Sequence, residues 1–479
     1  VTTTPPQTQD DQQEQQTRRW PAFAVCLVAG FMTVLDVSIV NVALPSIRTG
    51  ISASSSDLQW VSSGYALSFG LVLVAAGRLG DIRGRKNMFV AGLVLFTVAS
   101  AACGLAPNAG LLVVARVIQG IGGGLIQPQV SGFIQNLFQG KERARAFGLF
   151  GATVGISTAV GPLVGGALIA AFGTEHGWRA VFFVNVPVGI IAVVAALRLL
   201  PATAGRQQTK SLDPFGAVLL GAGVLCLLLP LVESQSWSGP LPWLLVIPAL
   251  VLLGAFVVWE QAQSRRGREP MVDLALLRVP SFSMGAGVGL VYFAGFTSIF
   301  FVLALFLQEG HGYSALESGL AVTPFALGSA VSAFAAGRLV SRIGRAVVAI
   351  GLAVMIVGLI ATVVVVRMTD ADGVGFYTAL PLLVAGLGSG AVISPNLTLT
   401  LSDVPVQEAG TAGGIVQTGQ RIGGAAGIAA IGALFFARLS ATHGDWNASL
   451  ADALLLSAGV TFLALVVAVV DLRRRSLAD

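Results

Sequence analysis

One carboxylate, Asp36, stands inside the apolar stretch "VLDVSIVNVALP" at residues 34–45. An unpaired acid in hydrocarbon costs several kcal/mol, so a residue of this kind is either neutralised by a partner or put to use. Further along the chain, Arg116, Gln119, Gly123 and Gln127 recur at three- and four-residue intervals, which stacks them on one face of a helix. Asp36 lies roughly 16 residues, or about 24 Å, from the basic start of its helix. Arg116 lies about 10 Å from the opposite end of its own, so in a hydrocarbon core about 30 Å thick the two depths nearly match. They could pair directly or through water. Two readings follow: a static buried ion pair, or a proton-exchanging site in which Arg116 makes the carboxylate tolerable and the proton's departure makes it useful.

A second arginine, Arg421, lies near mid-depth in "QTGQRIGGAAG" with Gln417, Gln420 and Gly424 at helical spacing around it. It could bind substrate, pair across a cavity or cap unwound backbone carbonyls. Depth alone adds Tyr292, Phe296 and Asn396 to Gln119 and Gln127 as residues expected to line that cavity. Asp81 lies in "GRLGDIRGR" (77–85), between Gly77 and Arg83, Gly84, Arg85 and Lys86. Such a loop fixes orientation through its basic residues. Asp81 adds a possible latch: it would cap the positive end of a helix from elsewhere in the chain and pair with a basic group such as Arg143 or Arg145 when that face is closed. Gly151, Gly155, Gly161, Pro162, Gly165 and Gly166 fall in one helix, where small residues allow close packing and proline favours a bend, as a seam that seals and opens requires. His176, His311 and His443 fall in predicted outer loops as solvated imidazoles, and Glu309 falls at a helix end.

Elements that hold these groups must be membrane helices. The 479-residue chain is 55% hydrophobic and 11% charged, where a soluble domain carries about 25% charged residues, and its mean hydropathy is +0.82. Polar and turn-rich punctuation divides it into about fourteen apolar runs, each of spanning length. Of the 28 Lys and Arg, Arg48, Arg179, Arg367 and Arg438 fall at one set of alternating ends and Arg116 and Arg421 inside spans; the remaining 22 gather at the opposite ends. By the positive-inside rule those ends, and both termini, are cytoplasmic. The same asymmetry explains the net charge of +5 without a nucleic-acid partner. The seven Trp fall at helix ends or in short loops, as the headgroup layer favours. Cys26, Cys103 and Cys226 lie in apolar runs and are read as buried thiols without a disulfide or a metal site.

"GRLGDIRGR" recurs as "GRLVSRIGR" at 337–345, and "IQGIGGGLIQP" (118–128) is echoed by "VAGLGSGAVISP" (384–395). The expected architecture is all-α and polytopic. A disordered cytoplasmic tail (1–17) precedes a six-helix half (18–205), an inserted two-helix hairpin with linkers (206–268), a second six-helix half (269–472) and a short cytoplasmic tail (473–479). Ser341 replaces Asp81 in the second loop copy, so a latch there is expected to be weak or missing.

Four segments carry a family resemblance. "GRLGDIRGRKNMF" resembles the cytoplasmic-loop motif of the major facilitator superfamily, "RVIQGIGGG" its fourth-helix motif and "GATVGISTAVGPLVGG" (151–166) the fifth-helix motif of its antiporters. "LDVSIVNVALP" resembles the first-helix motif of the fourteen-helix drug:proton antiporter branch. The resemblance runs from about Arg18 onward and implies the major facilitator fold.

No G-x-x-x-x-G-K-[ST] loop is present, so an ion gradient is the expected energy source. The lack of a sodium cage favours protons over sodium, and no other cofactor is expected. The function expected is proton-coupled export of drugs, antibiotics or similar amphiphilic metabolites across the cell membrane by a monomer in contact with lipid. A lipid or metabolite flippase or importer on the same fold is the alternative. A membrane-embedded enzyme would need an acid and base paired at depth, which the sequence lacks.

Overall fold

The structure, a computed structural model, describes residues 9–173, 175–201, 213–232, 241–266, 270–369 and 373–476. Among the described residues there are helices and no strands, and fourteen helices are long and apolar enough to cross a membrane. They are α1 (Gln9–Gly50), α2 (Ser55–Arg83), α3 (Arg85–Leu105), α4 (Ala109–Leu137), α5 (Gly140–Phe172), α6 (Gly177–Phe183 and Asn185–Leu199), α7 (Pro214–Val232) and α8 (Val246–Arg265). After these come α9 (Pro280–Leu305), α10 (Ala315–Ile343), α11 (Ala346–Met368), α12 (Ala379–Thr400), α13 (Ala409–Ala441) and α14 (Trp446–Ser476). Their number agrees with the fourteen apolar runs expected. At the N-terminus the expectation needs correction: α1 begins at Gln9, inside the stretch read as disordered, while residues 1–8 lie outside the described residues. Gln and Glu are good helix formers, so a polar run joined to a membrane helix continues it outward. Much of both hairpin linkers (202–212 and 267–269) also lies outside the described residues.

The internal repeat extends to helix starts. Ser54 before α2 and Ser314 before α10 each accept from the backbone N–H three residues on, and Asp57 and Glu317 return the bond to the serine N–H at 2.9 and 2.8 Å. These reciprocal caps satisfy donors that a helix start otherwise leaves open. Arg85 and Arg345 take matching places where α3 and α11 begin, but they serve different neighbours. Arg85 pairs with Asp81, whereas Arg345 pairs with Asp471 of α14.

Helices α1–α6 and α9–α14 meet chiefly where α2 crosses α13 and α5 crosses α10. At the first, a Cβ placed on Gly77 would lie 2.2 Å from the Gly410 carbonyl oxygen, so the two backbones touch and only glycine fits. Gly77→Val is therefore expected to force the basic ends of the halves apart. Spin labels at Asn136 and Ser402, both exposed near that end, would report it as a distance several Å longer than in the parent; an unchanged distance would mean that the crossing yields elsewhere.

Helix α7 fills the angle between α2 and α13. Its Val224 and Leu228 share an apolar cluster with Trp60 and Leu67 on one side and Ile422 and Ala425 on the other. The base of the hairpin is tied by polar groups: Asp213 accepts from the Trp259 indole at 2.5 Å and from Gly216 N–H at 2.9 Å, and Glu260 accepts from Val272 N–H at 3.2 Å. Trp178, expected in the headgroup layer, is instead fully buried in a cluster with Ile47, Leu112 and Phe182.

Candidate functional site

Asp36 (α1) and Arg116 (α4) pair directly, with Nη1 donating to Oδ2 at 2.5 Å, and both side chains are essentially inaccessible. The carboxylate also accepts from Gln119 Nε2 at 2.8 Å and from Asn185 Nδ2 (α6) at 2.9 Å. Asn185 was absent from the sequence-derived set. It is a lone amide in an apolar run, and a search led by carboxylates and arginines passes over a neutral donor. Arg116 in turn donates to Gln119 Oε1 at 2.8 Å and Val61 O at 3.0 Å, and its guanidinium lies 4.3 Å from the centre of the Tyr65 ring. The Tyr65 hydroxyl donates to Thr33 O, and Gln127 Nε2 donates to the Thr33 hydroxyl. Charge and hydrogen-bonding capacity are thus matched in a buried site, the condition under which a buried pair is tolerated. Gln119, expected to line the cavity, is instead part of this knot. Its amide spacing from Arg116, one helical turn, makes it the nearest ligand for the same carboxylate.

At the basic end, Asp81 accepts from Gly410 N–H at 3.2 Å, Thr411 N–H at 2.9 Å and the Thr411 hydroxyl at 3.0 Å. Those groups begin α13, so the carboxylate stands at the positive end of a helix in the other half. Its basic partner is Arg85, at 3.0 Å, and not Arg143 or Arg145. Arg143 donates to Phe138 O within its own turn, and Arg145 stacks over Trp20 at 5.4 Å. Arg85 also donates to Gly132 O at 2.8 Å and to Val406 O, spanning α4 and the segment before α13. Arg83 is exposed, and Gly84 takes φ +94° to turn the chain between α2 and α3.

The glycines of α5 divide between two neighbours. Gly151 and Gly155 face α10 and α12 across the seam between halves, where a Cβ on Gly151 would lie 3.0 Å from Ser394 Cβ. Gly161 and Gly165 instead pack on Ser38 and Ile39 of α1, and a Cβ on Gly166 would meet nothing within 4 Å. The expectation of one seam-facing cluster is corrected, because ten residues along a helix rotate the face by about 80°. The Pro162 side chain lies outside the described residues.

Among the remaining expected cavity residues, Gln417 reaches across to Ser131 at 3.4 Å and Gln420 is half-buried. Arg421 is exposed, stacks on Phe69 of α2 at 4.4 Å and makes no ion pair among the described residues. Phe296 is half-buried in an aromatic cluster with Phe293, Phe300 and Phe325. Tyr292 and Asn396 are not open to a cavity. Tyr292 is buried and bonded to Ser389 Oγ at 2.7 Å, and Asn396 donates to Gly285 O at 2.8 Å, tying α12 to α9. Depth along a helix does not say which way a side chain faces.

Contacts that these carboxylates and glycines make between halves fall between the basic end and mid-helix. The model of the Major Facilitator Superfamily matches residues 26–428. The chain belongs to the major facilitator superfamily. It is therefore a multi-pass membrane protein, and its superfamily relatives are transporters. It is 39% identical over 457 residues to the probable actinorhodin transporter of Streptomyces coelicolor, covering 93% of this chain and 78% of that protein. It is 32% identical to the puromycin resistance protein of Streptomyces alboniger, covering 94% and 91%. Two solved members of the superfamily share the fold: the human organic anion transporter MFSD10 (TM-score 0.67, 15% identity, 94% and 99% covered) and a proton:xylose symporter (TM-score 0.65, 16% identity, 94% and 95% covered).

Proposed function

We propose that this protein exports drug-like or antibiotic amphiphiles from the cytoplasm in exchange for protons, by alternating access of a cavity between its two halves. The observation that carries the reading is the arrangement of the halves: Asp81 and the Gly77–Gly410 contact join them at the basic end, while Arg421 is exposed at mid-depth. On the positive-inside rule the joined end is cytoplasmic. Likeness to exporters supports the direction of transport, including the tetracenomycin C resistance and export protein of Streptomyces glaucescens, 35% identical over 89% of this chain. No catalytic role is assigned to any residue, and the chain is read as acting as a monomer.

In this reading Asp36 is the coupling carboxylate and Arg116 its counter-ion. A proton arriving at Asp36 removes the charge that holds Arg116 Nη1. The guanidinium keeps Val61 O, Gln119 and the Tyr65 face but loses its counter-ion. Neutralisation therefore loosens α1 from α4, which favours substrate release outside; loss of the proton to the cytoplasm restores the knot. Asp81 acts as the latch of the state in which the cytoplasmic end is closed.

Arg421 sets the substrate's charge preference. Apart from Asp36, which Arg116 neutralises, the acids of the described helices lie toward helix ends, so the cavity offers one positive charge and no free carboxylate at depth. A dication there would go largely uncompensated, whereas an anionic group could take the two parallel donors of the guanidinium. Proteoliposomes with an imposed pH gradient and a matched series of amphiphiles differing only in charge test both levels. Gradient-driven accumulation of neutral or weakly acidic members is expected, falling roughly tenfold for the acidic member in Arg421→Ala, as loss of one charged hydrogen bond implies. No gradient-driven accumulation of any member rejects the exporter reading; best transport of the dication, indifferent to Arg421→Ala, rejects the charge preference.

A further inference from the structure

One face of α4 stays polar as far as the basic end. Gln127 donates to the Thr33 hydroxyl of α1, and Ser131, one turn on, accepts from Gln417 of the other half at 3.4 Å. A Cβ on Gly413 would lie 3.1 Å from Ser131 Cβ, so α13 packs directly on this face. Gln135 comes one turn later, where α4 meets the short turn Val406–Glu408 that precedes α13, and it is 1% exposed. Neither its amide nitrogen nor its amide oxygen has a hydrogen-bond partner among the described residues. The α5 side repeats the arrangement with Ser394 of α12. A Cβ on Gly151 of α5 would lie 3.0 Å from Ser394 Cβ, the serine is 2% exposed, and its hydroxyl has no partner among the described residues.

Buried amides and hydroxyls are nearly always bonded, so two left bare where the halves meet call for a reason. We propose that Gln135 and Ser394 form the substrate's entry site on the cytoplasmic side: when this end opens, the amide and the hydroxyl receive the neutral hydrogen-bonding groups, hydroxyl or carbonyl, of an incoming amphiphile. The site rests on the alternating-access reading above and adds to it a chemical class that Arg421 does not select. An amide both donates and accepts, so it reads a hydroxyl group without regard to the charge elsewhere on the molecule. The same two residues limit how tightly this end shuts, since each closure strips them of water and returns no bond.

Transport by proteoliposomes of a neutral amphiphile bearing hydroxyl groups, set against its deoxy analogue, tests the site. The parent should favour the hydroxylated compound roughly fivefold in KM, the worth of one neutral hydrogen bond, and Gln135→Met should lose that preference. A shift between conformations alone would move both KM values together. Removing a bare polar group should also favour the closed end. A thiol introduced by Gln417→Cys should therefore react from the basic end roughly tenfold more slowly when Gln135→Met is added. Ser394→Ala should slow it in the same direction, so a folding defect in one variant does not decide the result. Undiminished discrimination in Gln135→Met, or labelling in both variants as fast as in the parent background, would overturn the proposal. If the parent moves neither compound along a pH gradient, the exporter reading falls as well; if it moves both with equal KM, this proposal alone falls.

Discussion

Replacing Asp36 with asparagine is expected to abolish pH-gradient-driven accumulation while leaving substrate binding measurable. Asparagine keeps the size of the side chain and can still meet Gln119 and Asn185, but it cannot titrate, and it leaves the Arg116 charge without its counter-ion. Breaking one side of a buried pair costs about 3–5 kcal/mol, so the variant should also unfold at lower temperature. The double variant Asp36→Asn/Arg116→Gln separates the two effects. It removes the stranded charge and should recover much of the lost stability, yet it should remain uncoupled. If the double variant regains uphill transport, the carboxylate is structural and another group couples.

Asp81→Asn is expected to shift the protein away from the state described here. The carboxylate caps the first turn of α13 with three bonds that exist only while the basic ends meet, and it also pairs with Arg85 inside its own half. Asparagine keeps one accepting oxygen but loses the second and the negative charge at the helix start, together worth up to about 2 kcal/mol in a partly buried site. A change of roughly 2 kcal/mol moves the ratio of the two states about thirtyfold. A thiol introduced by Gln417→Cys, half-buried at the seam beside Ser131, would react faster from the basic end in this variant than in the parent. Equal labelling rates, with normal transport, would reduce the loop to an orientation signal.

Much of this fold could be read in advance because a bilayer imposes length and charge rules on every helix. The spans could be counted, and the twice-used "GRL" loop marked the two halves before any contact was known. The Asp36–Arg116 pair was also legible, since depth arithmetic from two helix ends brings them level. What depth cannot supply is azimuth. Tyr292 and Asn396 have the right height but turn into the second half's own packing, and Gly161 and Gly165 turn toward α1 rather than the seam. Asn185 completes the carboxylate's shell, but a neutral amide leaves no charge anomaly in the sequence. Arg85 was overlooked as the partner of Asp81 in favour of more distant arginines, yet it stands four residues away and its helix start brings the guanidinium back over the carboxylate. The role of α7 could not be read at all: its apolar run looks like any span, and only the packing of Val224 and Leu228 shows that it closes the angle between α2 and α13.

Proton release by the solubilised protein tests the proposed exchange most directly. Substrate added to purified protein in weakly buffered detergent solution should acidify the medium in proportion to the protein, because substrate and proton compete for opposite states of Asp36. The Asp36→Asn variant should bind the same substrate and release no proton. Binding without release in the parent, or equal release in the variant, would contradict coupling through Asp36.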